Sequence, residues 1–383
     1  MSLLTEIENG KTLLKKNPNN ILFQRNFFND PFFIDSLCKG KKTILLTDKK
    51  ISTLSYYNKL LKYLSKNHET IAINLEPAEP TEQMVVDLAN NKDFVISDLV
   101  VALGGGSVLD TLKVAKMKQI QQYGIEHFAL SKNPFKPESL TTLAIPTTHG
   151  TGSETTNTVV YSDFQKRKKW LSDPYLKFDT IILDPIPTLG LPKLTTFYTC
   201  LDALVHLFES LFAVRHQRSH LQDTLTGILL IWENLHSLMN NLNDLELRHS
   251  MQIAAALGGA SINRTGCGIG HAFGHAFGSM FKIPHGLAVG LGFINTLESV
   301  VESHPEIELI LKLLNYKSKK EMIDNFYKWF DALKIPISLE VKNFDRDKFF
   351  CIYFAEENES MRTNTYFRPT DREIHLILDH MQG

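Results

Sequence analysis

The sequence predicts an α/β half followed by an all-helical half, on three observations. Short apolar runs alternate with amphipathic stretches from Lys41 to about Pro185. One of those runs ends in a cluster of glycines that opens a helical pattern. Beyond Leu191-Pro192, strand-like runs give way to helical periodicity. The first pattern is a βαβ rhythm, which argues for a mostly parallel sheet with helices on both faces. The change of texture puts a boundary near residue 187 and divides the chain into 1–187 and 188–383.

Each element follows from its residues. "KKTILLTD" (41–48) reads as a buried strand, and "TLSYYNKLLKYLSKN" after it as an amphipathic helix. "ETIAINL" (69–75) is a second strand, and "PTEQMVVDLANN" opens with the proline and threonine of a helix start. "LVVALGGG" (99–106) is a third strand and "SVLDTLKVAKMKQI" the helix after it. "TTLAIPTT" (141–148) and "DTIILDP" (179–185) complete the strand set. In the second half, "FYTCLDALVHLFESLFAV", "LTGILLIWENLHSLMNNL", "SMQIAAALGGASI" and "IELILKLL" all carry helical periodicity.

With 383 residues, 43% of them hydrophobic, the chain can bury a core without staples of disulfide or metal. A net charge of -1, from 41 basic against 42 acidic residues, gives no general attraction to nucleic acid or to anionic membrane. The four cysteines stand far apart with no CxxC, so neither a disulfide framework nor a thiolate zinc knuckle is expected. No signal-peptide pattern and no run of eighteen apolar residues occurs, which makes a cytoplasmic location the expectation.

In "VVALGGGSVLDTLK", Gly104, Gly105 and Gly106 let backbone approach a pyrophosphate, and Ser107 can add a hydroxyl. The helix that follows would aim its positive end at the phosphates. A plain strand-to-helix turn would use the same residues. The second polar loop, "IPTTHGTGSE", supplies Thr147, Thr148 and Thr151 beside Gly150 and Gly152. Two such loops at the ends of strands in one sheet suit a dinucleotide lying across them. Asp48, ending the first strand, could accept hydrogen bonds from the adenosine ribose and repel a 2′-phosphate, or could simply cap a helix.

The helical half holds a different chemistry. Asp202 and His206 stand at i, i+4 in "CLDALVHLFE" and share one helix face. His271 and His275 repeat the spacing, and His285 follows in "KIPHG". A carboxylate and several imidazoles without thiolate suit Fe(II), Zn(II) or another divalent first-row ion. Helix spacing alone selects His271 and His275 as the pair and leaves His285 outside.

Four motifs occur in order: GGGS-x-x-D-x-x-K from Gly104 to Lys113, "IPTT-x-GTGSE" from Ile145 to Glu154, "DAL-x-H-x-x-E" from Asp202 to Glu209, and "H-x-x-x-H…IPHG" from His271 to Gly286. Together they resemble the iron-containing (group III) alcohol dehydrogenases, over about Lys41 to Gly286. The resemblance implies a Rossmann-like α/β nucleotide-binding domain (1–187), a helical metal-binding and substrate domain (188–383) of the dehydroquinate synthase-like fold, and an active cleft between them. It implies Asp202, His206, His271 and His285 as metal ligands, with Fe(II) the expected ion and Zn(II) the alternative. His275 becomes the catalytic histidine beside the nicotinamide, a candidate for substrate contact or proton relay. Gly104 to Ser107 would hold the pyrophosphate, Asp110 would support that turn, and Thr147, Thr148 and Thr151 would line the cofactor cleft. Lys169 would reach the cofactor ribose, and Asp48 would favour NAD over NADP. The implied activity is hydride transfer between NAD(H) and a small alcohol/aldehyde pair, by a protein that often forms homodimers.

The sequence also departs from the family. His149 stands where a small residue is usual, and could face substrate or point away. Glu79 precedes Pro80-Thr81 where an Asn is common, and "ILFQRNFFNDPFF" lacks the usual early glycines. Cys267, one turn before His271, reads as a core filler within reach of the metal. "ESLFAV" and "MRTNTYFRP" look like the phosphonoacetaldehyde-reductase branch, and a glycerol-dehydrogenase-like enzyme shares the same fold. A dehydroquinate synthase-like lyase would need an array of cations, whereas the metal-site segments are mostly apolar and have few cations beside them in sequence, Arg264 among them. A non-catalytic NAD-binding sensor with a structural metal is the rival from outside enzymology.

Overall fold

The computed structural model describes residues 2–16, 19–38, 40–304, 306–337 and 344–382. Its larger sheet has six strands: β1 (Asn20–Phe23), β2 (Thr43–Asp48), β3 (Thr70–Leu75), β4 (Leu99–Gly104), β5 (Thr141–Pro146) and β8 (Thr180–Leu183). They run in the order β1-β8-β5-β4-β2-β3, and each neighbouring pair is parallel. Every residue of β4 is buried, as expected of a central strand covered on both faces. Its side chains alternate between two cores. Val100 and Ala102 join the core that continues into the helical half, while Leu99, Val101 and Leu103 pack with Leu60 and Leu64 on the other face.

The strand order reverses beside β2, since β3 lies on one side of it and β4 on the other. In open α/β sheets a crevice opens at such a point, beyond the carboxyl ends of the strands. Asp48, Gly104 and Pro146, which end β2, β4 and β5, bring the acidic residue and both glycine-containing loops to that edge.

Three strands escaped the apolar pattern. β1 has four residues and pairs with β8. β6 (Thr158–Ser162) and β7 (Lys168–Ser172) form a separate antiparallel hairpin. The lysines of β7 and the brevity of β1 hide the period of two on which strand recognition depends.

The helical half is built from Lys193–Phe212, Leu221–Asn240, Leu245–Thr265, Ile269–Phe281 and His285–Ser303. Leu3–Leu14 packs here as well, with Gly10 against Leu230, Ile253 and Leu257. The helix Ile269–Phe281 stops at Lys282, whose left-handed φ of 53° breaks the helical run, and Pro284 precedes the next helix. The two helices then fold back on each other almost backbone to backbone. A Cβ on Gly274 would lie 2.7 Å from Val289 Cα, and one on Gly292 would lie 2.5 Å from the Gly270 carbonyl oxygen. This glycine seam turns His285 back toward the helix that bears His271.

Candidate metal centre and cofactor cleft

Asp202 and His206 project from the middle of Lys193–Phe212, a helix buried without a break from Cys200 to Phe212. His271 comes from Ile269–Phe281, and His285 is the first residue of the helix after it. The three elements converge on one oxygen. Asp202 Oδ1 lies 3.7 Å from His206 Nε2, 3.7 Å from His271 Nε2 and 3.6 Å from His285 Nε2. Donors about 2.1 Å from a common ion at tetrahedral angles stand about 3.4 Å apart, so these separations fit a shared cation. Asp202 Oδ1 and His271 Nε2 are buried with no hydrogen-bond partner, an arrangement that costs stability unless something else satisfies them.

Glu209, one turn beyond His206, orients the histidine opposite. Its Oε2 accepts from His271 Nδ1 at 2.6 Å and from the Gly268 amide at 2.7 Å, while Oε1 accepts from the His271 amide at 3.0 Å. Nδ1 of His271 is therefore held by Glu209, and its Nε2 is turned toward Asp202. The electrostatics agree with a site built for positive charge. Burial opposes ionisation of His271, but Glu209 and Asp202 outweigh it and push the pKa up to about 9. Burial likewise opposes the Asp202 carboxylate, yet His206, His285 and His271 hold it well below the usual range. Burial brings His206 down to about 4, keeping its imidazole neutral as a ligand must be.

His275 stands apart from this cluster. Its ring centre is 5.9 Å from that of His285 and 6.4 Å from that of His271, and its Nδ1 lies 3.1 Å from Asn358 Oδ1. Burial first, then the neighbouring His285, His271 and Lys168, hold its pKa well below normal. Cys267 Sγ falls within 4.8 Å of donor atoms of His206 and His271. Burial, with Glu209 and Asp202 adding, raises its pKa far above the ordinary value and keeps it a thiol.

The two glycine-containing loops touch each other. A Cβ on Gly105 would meet Thr148 at 3.1 Å, and one on Gly106 would meet Thr151 at 2.8 Å. The Thr147 amide donates to the Gly104 carbonyl at 3.0 Å. Ser107 Oγ donates to the Ala78 carbonyl, so its hydroxyl ties this turn to the next loop. Gly106 begins the helix that runs to Ala115. Asp110, on that helix, accepts from Ser153 Oγ and, at 3.1 Å, from the fully buried Lys113 ammonium. The acid thus braces both loops.

Asp48 and His149 take the plainer of the two roles the sequence left open, and Lys169 has a partner within the protein. Asp48 Oδ1 accepts from the Lys50 and Ile51 amides at 2.8 and 2.9 Å, which is the capping role, and Oδ2 carries no bond to those amides. Lys169 is engaged within the protein: it pairs with Glu357 at 2.6 Å. Alternation along β7 sends Lys168 the other way, where its charge bears on His275 and His285 and it pairs with Glu79. His149 turns to the helical half. It is fully buried, with Nδ1 3.1 Å from Thr199 Oγ1 and Nε2 accepting from Arg248 at 3.2 Å. Burial, then Arg248, lower its pKa to about 3, so it is neutral and cements the loop to the helical half.

Residues 18–185 match the family described as iron-containing alcohol dehydrogenase, and residues 196–381 match the C-terminal part of the same family. A sulfoacetaldehyde reductase from Bilophila wadsworthia is 32% identical over 256 residues, which is 66% of this chain and 65% of that protein. The probable alcohol dehydrogenase EutG of Escherichia coli is 36% identical over 192 residues, 50% of this chain and 48% of that protein. These alignments span about half to two thirds of the relatives' length. A solved sulfoacetaldehyde reductase from Bifidobacterium kashiwanohense, in complex with NAD+, superposes with a TM-score of 0.86 at 20% identity, covering 96% of this chain and 98% of that one. At that identity the likeness establishes the shared fold.

Proposed function

The chain belongs to the iron-containing alcohol dehydrogenase family, and from that premise we propose that it moves a hydride between NAD(H) and a small alcohol/aldehyde pair. The observation that carries the proposal is the ring of three imidazole nitrogens at 3.6–3.7 Å around Asp202 Oδ1. In this mechanism Asp202, His206, His271 and His285 hold the divalent ion, and Glu209 fixes the orientation of His271. A bound Fe(II) or Zn(II) supplies Lewis-acid polarisation of the substrate oxygen, and NAD supplies the hydride acceptor.

The rest of the work falls to the chain. Gly104, Gly105, Gly106 and Ser107 receive the pyrophosphate on the turn that Asp110 braces, and Thr147, Thr148 and Thr151 line the same cleft. Asp48 presents its second carboxylate oxygen to the ribose, which favours NAD over NADP. Lys168 takes the ribose role that the sequence assigned to Lys169, because Lys169 is committed to Glu357. His275 receives the alcohol proton at Nε2 and returns it in the reducing direction. Residues 1–187 bind the dinucleotide and 188–383 bind metal and substrate. We place the protein in the cytoplasm as a homodimer, with no nucleic-acid or membrane partner; among the described residues no helix is long and apolar enough to cross a membrane.

A second reading concerns the substrate. Lys168 brings a cation to the cleft mouth, which would suit an aldehyde bearing a sulfonate or phosphonate, although Glu79 offsets part of that charge. The test is NADH absorbance with the iron-loaded protein against neutral aldehydes and their anionic counterparts. NADH consumption with at least one class is expected, and its disappearance after chelation. Bound NAD with no turnover on any substrate would instead favour the sensor.

A further inference from the structure

A proton relay needs its histidine in one tautomer, and the residue that decides the tautomer of His275 lies 83 positions away. Asn358 is buried, 3% exposed, on the short helix Glu356–Thr363. Its Nδ2 donates to the Ile352 carbonyl oxygen at 2.8 Å. A carbonyl can only accept, so the amide of Asn358 has a single workable orientation. Oδ1 must then face His275, and it lies 3.1 Å from Nδ1. An amide oxygen cannot donate, so the ring proton sits on Nδ1. Nε2 is left with the free lone pair.

We infer that Asn358 is the positioning residue of the site: it holds His275 with its proton on Nδ1, so that Nε2 is the nitrogen that accepts. This rests on the reading of His275 as the group that handles the substrate proton. The helix bearing Asn358 is itself anchored across the cleft. Glu357, the preceding residue, takes the Lys169 ammonium at 2.6 Å, and its carbonyl accepts from Trp170 Nε1 at 3.1 Å. Both partners lie on β7, in the half of the chain that carries the cofactor loops. Nearby, Asn364 Nδ2 donates to the Thr265 and Cys267 carbonyls at 2.8 and 2.9 Å, securing the far end to the segment that leads into His271. Asn358 is thus clamped between the two halves rather than carried on a free surface helix.

The experiment compares the full-length zinc-loaded protein, NAD added, with Asn358→Leu and Asn358→Asp variants, each labelled with nitrogen-15 at histidine. Long-range proton–nitrogen spectra report the tautomer of His275, assigned by the signal missing from His275→Gln. The parent should show Nδ1–H. The Leu variant should show a tautomer mixture, with kcat down about 10–100-fold, toward the usual worth of a positioned acid–base group. Its KM for NAD should stay within about twofold. The Asp variant keeps an acceptor beside Nδ1, so it should hold the parent tautomer and recover most of kcat. Should the Leu variant fail to fold, the Asp variant and the parent spectrum still decide the question. An Nε2–H parent, or an unchanged tautomer in the Leu variant, would overturn the inference. A shifted tautomer with unchanged kcat would uphold the positioning by Asn358 and remove the proton role of His275.

Discussion

His271→Ala is expected to leave the purified protein without its divalent ion and without turnover. His271 contributes one of the three imidazole nitrogens around Asp202 Oδ1, and it is the one that Glu209 orients. Loss of an outer partner such as Glu209 typically weakens metal affinity 10–100-fold, so loss of the ligand itself should cost at least about a hundredfold. Turnover should fall below about 1% of the parent on the same grounds. Metal per chain by plasma emission and NADH-linked turnover check the two effects, with circular dichroism confirming that the variant folds. Full activity in a metal-free His271→Ala protein would sink the mechanism.

Gly286→Ala should damage the same site through the backbone, although glycine to alanine adds only a methyl group. A Cβ there would stand 2.0 Å from the Tyr198 carbonyl oxygen and 3.3 Å from Asp202 Cβ. The first contact is with helix backbone, which cannot rotate away as a flexible side chain would. Accommodating the methyl group means parting the His285 helix from the Asp202 helix, and His285 moves with it. Overpacking of this kind costs about 1–3 kcal/mol. A ligand displaced by about 1 Å can cost on the order of a hundredfold in rate. Thermal unfolding, metal content and kcat should all fall together. Gly278→Ala is the matched control. Its Cβ would meet only Ala288 Cβ at 3.7 Å, an ordinary contact. Replacing a glycine in the last turn of this helix should raise stability by up to about 0.5–1 kcal/mol and leave metal binding alone.

Which parts of this were legible in the sequence follows from the range of the interactions involved. Five strands of the large sheet announced themselves as short apolar runs, four of them because buried parallel strands are nearly continuously apolar and the edge strand β3 because Ile71, Ile73 and Leu75 alternate. The β6–β7 hairpin did not, and without it the sequence shows Lys168 and Lys169 only as neighbours: on a strand, neighbouring side chains face opposite ways, so the two have different partners. Asp202 with His206 could be read from helix phase. His285 could not, because Lys282 and Pro284 reset the phase and the glycine seam folds the second helix back. The spacing favoured His271 with His275, yet only His271 approaches Asp202 within 4 Å, while His275 turns to Asn358. His149 and Arg248 are 99 residues apart in the chain, and no local pattern links them. Asn358 was invisible for the same reason. Its role comes from contacts with Ile352 and His275, and from a neighbour tied to β7.

The most direct measurement is a crystal structure of the iron-loaded protein with anomalous data on either side of the iron absorption edge. A single anomalous peak bonded by Asp202, His206, His271 and His285, with His275 outside the coordination sphere, is the expected result. A peak bonded by His275 and not by His285 would contradict the ligand set.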